Sequence, residues 1–130
     1  MATIKKLTYN PVAQLKMLEP KSAKKIGFNT LEGIHIIDTS NIICCEALGN
    51  YTKVHLKDKK SFMVSKTLKL IEEHLPFRQF KRCHNSFIVQ INEVLKIHES
   101  LEMSNGIIVP ISRRKKKEVK GWFSEIVSFI

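Results

Sequence analysis

From Gly33 to Val109 the chain is a succession of short β-branched and aromatic segments, each closed by turn residues, and this texture leaves little room for a helical fold. Ile34–Asp38, Asn41–Ala47, Tyr51–Lys57 and Ser61–Val64 come first, with Gly49-Asn50 and Asp58-Lys59-Lys60 between them. Branched and aromatic side chains suit the pleated, half-buried surface of a sheet, so each segment predicts a strand. In the third, Val54 and Leu56 alternate with Lys53, His55 and Lys57, a period of two that leaves one face wet. Phe87 to Ile91 and Val94 to His98 continue the series. Leu101–Met103 then pairs with Ile107–Val109 across Ser104-Asn105-Gly106, where Asn-Gly predicts a type I′ hairpin turn.

Two stretches switch to a helical period. Leu68, Ile71 and Leu75 share a face of a helix over 67–75, which Ser65 or Thr67 can cap and Pro76 stops. A final helix is expected after Ser112 as cap, with Val119, Trp122, Phe123, Ile126 and Ile130 on one side despite the costly Gly121. Its first turn would carry the cations of 113–117, each unfavourable there by about 0.3 to 1 kcal/mol because a helix N-terminus is itself positive. A bound anion would offset that cost. Residues 1–29 are lysine-rich and weakly periodic, broken by Pro11 and Pro20; Val12, Leu15 and Leu18 fit a short helix between them, in what reads as an arm or linker. Residues 30–130 then form the folded domain, a mainly β arrangement with small helices.

A chain of 130 residues fits one domain with a proper core. No apolar run reaches the roughly 18 to 20 residues of a membrane-spanning helix, and the N-terminus lacks the apolar core of a secretory signal, so the expected compartment is the cytoplasm. The net charge of +10 attracts polyanions. Arg113, Arg114, Lys115, Lys116 and Lys117 are consecutive and repel one another unless something negative lies opposite, so the charge reads as a binding patch rather than a solvated surface. Cys44, Cys45 and Cys83 make neither a disulfide framework nor a zinc spacing and read as reduced thiols. Cys83, between Arg82 and His84, could instead have a lowered pKa and act as a redox sensor. No cofactor or metal is expected. There is no nucleophile elbow or phosphate-cradling glycine loop, so the chain is not expected to be an enzyme.

Two polar segments sit beside apolar anchors: Phe80-Lys81-Arg82-Cys83-His84-Asn85-Ser86-Phe87-Ile88-Val89, and Ile108-Val109-Pro110-Ile111-Ser112-Arg113-Arg114-Lys115-Lys116. With Glu46-Ala47-Leu48-Gly49-Asn50-Tyr51-Thr52, and with Thr67-Leu68 opening the intervening helix, they occur in an order and spacing that resembles the LytTR family of bacterial DNA-binding domains, over about residues 26–125. The resemblance implies a LytTR-like arrangement of short antiparallel sheets with a C-terminal helix, and no helix-turn-helix. It implies double-stranded DNA as partner, bound by loops in the major groove, with two copies on promoter direct repeats as a homodimer on DNA. Asn50 and Tyr51 would lie in a DNA-facing loop, and Asn85 and Arg113 would reach the DNA. Asn85 has the paired donor and acceptor suited to adenine, and Arg113 the fork suited to guanine. Arg82, Ser86, Arg114 and Lys116 would contact phosphates, which set register rather than sequence.

Several of these residues have a plainer reading. His84 either joins the DNA surface or holds its loop through backbone hydrogen bonds, Asn85 and Ser86 can serve local amides in a turn, and Tyr51 can be a half-buried strand aromatic. The same basic surface would also suit an RNA-binding module or an interaction module for an acidic protein. Response regulators of this class carry a receiver domain, for which this sequence has no room. A free-standing regulator and the output portion of something longer both remain open, and a receiver domain or sensor kinase is a partner only in the second case.

Overall fold

In the computed structural model, which describes residues 25–130, the chain is mainly β, as expected. The elements are β1 (Lys25–Thr30), β2 (Gly33–Asp38), β3 (Ile42–Leu48), β4 (Tyr51–Leu56), β5 (Ser61–Val64), α1 (Leu68–Glu72), β6 (Phe80–His84), β7 (Phe87–Gln90), β8 (Val94–Ile97), β9 (Ser100–Met103), β10 (Ile108–Pro110) and α2 (Val119–Trp122). They make three antiparallel sheets: a β1-β2 ribbon, a five-stranded sheet in the order β5-β4-β3-β7-β6, and a three-stranded sheet in the order β10-β9-β8.

The pleat of the five-stranded sheet explains why β3 and β7 carry apolar residues at adjacent positions. Successive side chains point to opposite faces. Cys44 and Val89 therefore enter one core, with Leu101, Met103 and Val109 of the three-stranded sheet and Val119 and Phe123 near the C-terminus. Their neighbours Cys45 and Ile88 enter the other, with Phe28 of β1 and Leu68 and Ile71 of α1. Burying side chains of this size stabilises the fold by roughly 1.5 to 3 kcal/mol each. With Thr39 and Thr52, Gln90 is one of the buried polar side chains. Its Nε2 donates to the Ile42 carbonyl at 2.6 Å and lies near those of Ser40 and Thr39, so it ties the 3-10 turn Thr39–Asn41 to β7.

Several expectations need correction. Residues 25–30, partly within the stretch expected to be linker, are a strand; it pairs along its length with β2 and buries Phe28. The rest of that stretch, including Val12, Leu15 and Leu18, lies outside the described residues. Thr67 caps α1, its Oγ1 accepting the Leu70 N–H at 3.3 Å, but the helix closes at Glu72 and reaches Leu75 through tighter i→i+3 bonds. The β9–β10 hairpin forms with Leu101 opposite Val109. Its turn is not type I′, which needs positive φ at both Asn105 and Gly106. Only Gly106 has it, at 91°, and its N–H bonds to the Met103 carbonyl, giving a three-residue loop that Asn105 Oδ1 supports by accepting the Ile107 N–H.

The C-terminal helix is the largest departure. Residues 113–118 form successive turns with i→i+3 bonds from Lys115 N–H to the Ser112 carbonyl and Glu118 N–H to the Lys115 carbonyl. Regular helix is confined to Val119–Trp122, and Ser112 does not cap it. The i→i+3 bonds wind these turns tighter than an α-helix, and Lys115 and Lys116 are offset by ion pairs with Glu118 and Glu99. Val119 and Phe123 are buried, but Ile126 and Ile130 are exposed rather than part of one apolar face. No macrodipole of a long helix meets the basic run, so the anion argument from a helix terminus does not apply.

Candidate nucleic-acid interface

The five-stranded sheet brings the three polar segments to one end. Strands β3 and β7 are antiparallel with Glu46 opposite Phe87, so the β3–β4 turn at Gly49-Asn50 and the β6–β7 turn at Asn85-Ser86 project side by side. The Ala47 N–H bonds the Ser86 carbonyl at 2.8 Å and fixes their spacing. Gly49 has φ 63° while Asn50 stays in the ordinary region, so glycine at the first central position makes this tight turn feasible. Tyr51, half exposed, and Asn50, exposed, stand at its end.

The third segment is attached through an irregularity in β6. Arg82 pairs with Ile88 and His84 with Phe87, leaving Cys83 as the extra residue of a bulge. Its carbonyl is thereby released from the strand ladder and accepts the Ser112 N–H at 2.8 Å. Arg113 thus starts beside the Asn85 turn. Arg113 and Arg114 are exposed and make no ion pair with any described residue.

The remaining candidates are engaged within the protein. Arg82 spans two partners, Nη1 lying 3.2 Å from Glu72 Oε1 and Nη2 donating to the Asn85 carbonyl at 2.7 Å. His84 Nδ1 accepts the Ser86 N–H at 3.1 Å, and its ring meets Phe87 edge to face. Both side chains hold the turn that displays Asn85. Ser86 is half-buried, and Lys116 donates to Glu99 in the β8–β9 turn, holding that carboxyl below the usual carboxylate range. Sequence reasoning missed Lys66. The Thr52 Oγ1 donates to its carbonyl at 2.8 Å, drawing the exposed β5–α1 corner to the same end of the sheet. Thr52 opposite Val64 sets that proximity, and no local motif marks it.

Cys83 does not have the lowered pKa that its cationic neighbours suggested. Burial pushes its thiol, and that of Cys44, up to about 12, and burial raises Cys45 as well. All three are free and buried. Among the described residues no cluster of side chains is suited to a metal ion, and no helix is long and apolar enough to cross a membrane.

A family model described as the LytTr DNA-binding domain matches residues 32–124. The chain belongs to this LytTR family. Its family is one of non-enzymatic domains. Over 102 residues it is 34% identical to the sensory transduction protein LytT of Bacillus subtilis, covering 74% of this chain and 42% of that protein. The CO-responsive transcriptional regulator RcoM of Rhodospirillum rubrum is 30% identical over 109 residues, covering 78% and 46%. A solved LytTr DNA-binding domain from Bacillus cereus superposes with a TM-score of 0.66 at 26% identity, over 78% of this LytTR chain and 98% of the other. The chain spans about half the length of the curated relatives it matches.

Proposed function

We propose that this LytTR domain regulates transcription from the cytoplasm by binding specific sequences in duplex DNA. In this reading the shared end of the five-stranded sheet enters the major groove. Asn85 and Arg113 read base edges; Tyr51 and Asn50 contact the adjoining segment; Arg114, Ser86 and Lys66 engage phosphates. Arg82 and His84 are positioning residues for Asn85, and Lys116 contributes once it leaves Glu99. Two copies occupy direct repeats in a promoter.

The observation that carries this reading is the hydrogen bond from the Ser112 N–H to the bulge carbonyl of Cys83. It sets an unpaired arginine beside a displayed asparagine, the two side chains with the best fork geometries for guanine and adenine. Neutralising about six phosphates gives a slope near −5 for log affinity against log salt. Competition between a duplex carrying the selected site, random duplex and single-stranded RNA tests the proposal. Preference for the selected duplex supports it; equal binding to every duplex, or preference for RNA, contradicts it.

A further inference from the structure

A second surface lies away from the sheet end described above. Phe77, Arg78, Lys81 and Ile91 on one side and Trp122, Glu125 and Ile126 on the other line a cleft of about 390 Å³, so its wall carries two cations and one carboxylate. Lys81 lies four residues before Asn85 on β6, roughly 13 Å along an extended strand, and Phe77 precedes it. The cleft combines features that rarely share a solvent-facing surface. The Phe77 ring is 66% exposed, and both Arg78 and Lys81 place their cationic groups 5.9 Å from its centroid. A cation over an aromatic face is attracted by the ring quadrupole, so the charges are held beside an apolar wall. Ile126 in the cleft wall is 52% exposed, and beyond it the pattern recurs: Phe129 is 48% exposed and Lys120 sits 5.4 Å over its ring.

The geometry points to a docking site for an extended acidic peptide with apolar anchors, a segment of a protein partner rather than nucleic acid. Apolar side chains of the peptide would fill the space between Phe77 and Trp122, while its carboxylates meet Lys81 and, further along, Lys120. Charge complementarity favours this occupant, since Arg78 and Lys81 in the cleft and Lys120 beyond it outnumber the single carboxylate of Glu125. The cations flank aromatic and aliphatic side chains, which a phosphate backbone cannot use, and the repeated cation-on-ring pattern outside the cleft favours a chain over a small molecule. Buried aromatic anchors ringed by polar contacts are the usual source of affinity in such interfaces. A partner bound here leaves the Asn85 and Arg113 end uncovered, so a protein and a duplex can be held together.

The test uses the full chain and a fluorescein-labelled peptide in which Glu-Asp pairs alternate with single Leu and Phe residues, followed by fluorescence anisotropy. A matched peptide with glycine in place of Leu and Phe serves as control. The expected result is saturable binding at least about tenfold tighter than the control, weakened at least about fivefold by Phe77→Ala and by Lys81→Gln. Phe77 is largely exposed, so Phe77→Ala leaves the fold intact, and its duplex binding is expected to be unchanged. Arg113→Ala is expected to leave peptide binding unaltered. Equal binding of both peptides, loss with Arg113→Ala but not with Phe77→Ala, competition by duplex DNA for the peptide, or a self-association abolished by Phe77→Ala would each overturn the proposal.

Discussion

The backbone N–H of Ser112 donates to the carbonyl of Cys83 at 2.8 Å, joining two segments that lie 29 positions apart in the chain. The bond exists because the β6 bulge leaves that carbonyl without a strand partner. Its consequence is that Arg113 and the Asn85 turn form one surface, whose components can be separated by substitution.

Lys116 is held by Glu99, so part of the basic run is neutralised before any DNA arrives. Glu99→Gln is expected to raise affinity for all duplexes alike and to steepen the salt slope by about 1, while Lys116→Ala lowers affinity for all of them and flattens it. Fluorescence titrations across a salt series check both. A change confined to one operator sequence would show that Lys116 reads bases.

Arg82 reaches Glu72 and the Asn85 carbonyl at once, which needs the planar fork of a guanidinium. Arg82→Lys is therefore expected to change stability by less than about 1 kcal/mol, since the ion pair is partly exposed. It should nevertheless relax base preference at the position affected by Asn85→Ala. Parallel binding measurements on operator variants decide this. Loss at a different position, or a uniform loss, would make Arg82 a phosphate contact instead.

Glycine substitutions are expected to differ in sign. An added methyl meets nothing within 4 Å at either Gly49 or Gly121, so packing does not enter. Gly49 has φ 63°, and Gly49→Ala should cost about 1 to 2 kcal/mol through the backbone alone. Gly121 lies in α2 without positive φ, and Gly121→Ala should stabilise by about 0.5 to 1 kcal/mol. Urea midpoints for the two variants provide the check.

Much of the fold was legible from period and turn chemistry. The alternation of Val54 with Lys53 and His55 marked β4, and the apolar run around Cys44-Cys45 marked a strand, whose burial on both faces follows only from the assembled cores. Strand β1 escaped because lysines surround it and its signal is only Ile26 and Phe28, two residues apart. The C-terminal region misled for the opposite reason: an apolar helical period was real at Val119 and Phe123, but residues 113–118 wind into i→i+3 turns instead of regular α-helix. For the candidate site, motif order singled out Asn50, Asn85 and Arg113. Which cations are already paired was not legible, because Glu72 meets Arg82 and Glu99 meets Lys116 only after the sheets assemble.

The thiols carry a prediction in pH. Burial raises Cys44 and Cys83 from 9.0 to about 12, so folded protein retains protons that unfolded chains release. Their contribution to stability is complete below about pH 9 and is lost as pH rises through 12. Alkylation by iodoacetamide at pH 8 should be slow for native protein and fast in urea. Rapid native labelling of Cys83 would restore the redox-sensor reading.

Selection of bound fragments from random duplex DNA tests the shared Asn85 and Arg113 surface most directly, with the unsubstituted protein, Asn85→Ala and Arg113→Ala run side by side. Enrichment of a repeated motif is expected, with each substitution relaxing a different base position at a cost of about 1 to 3 kcal/mol. No enriched motif, or two substitutions that weaken every sequence equally, would contradict base reading by this end of the sheet.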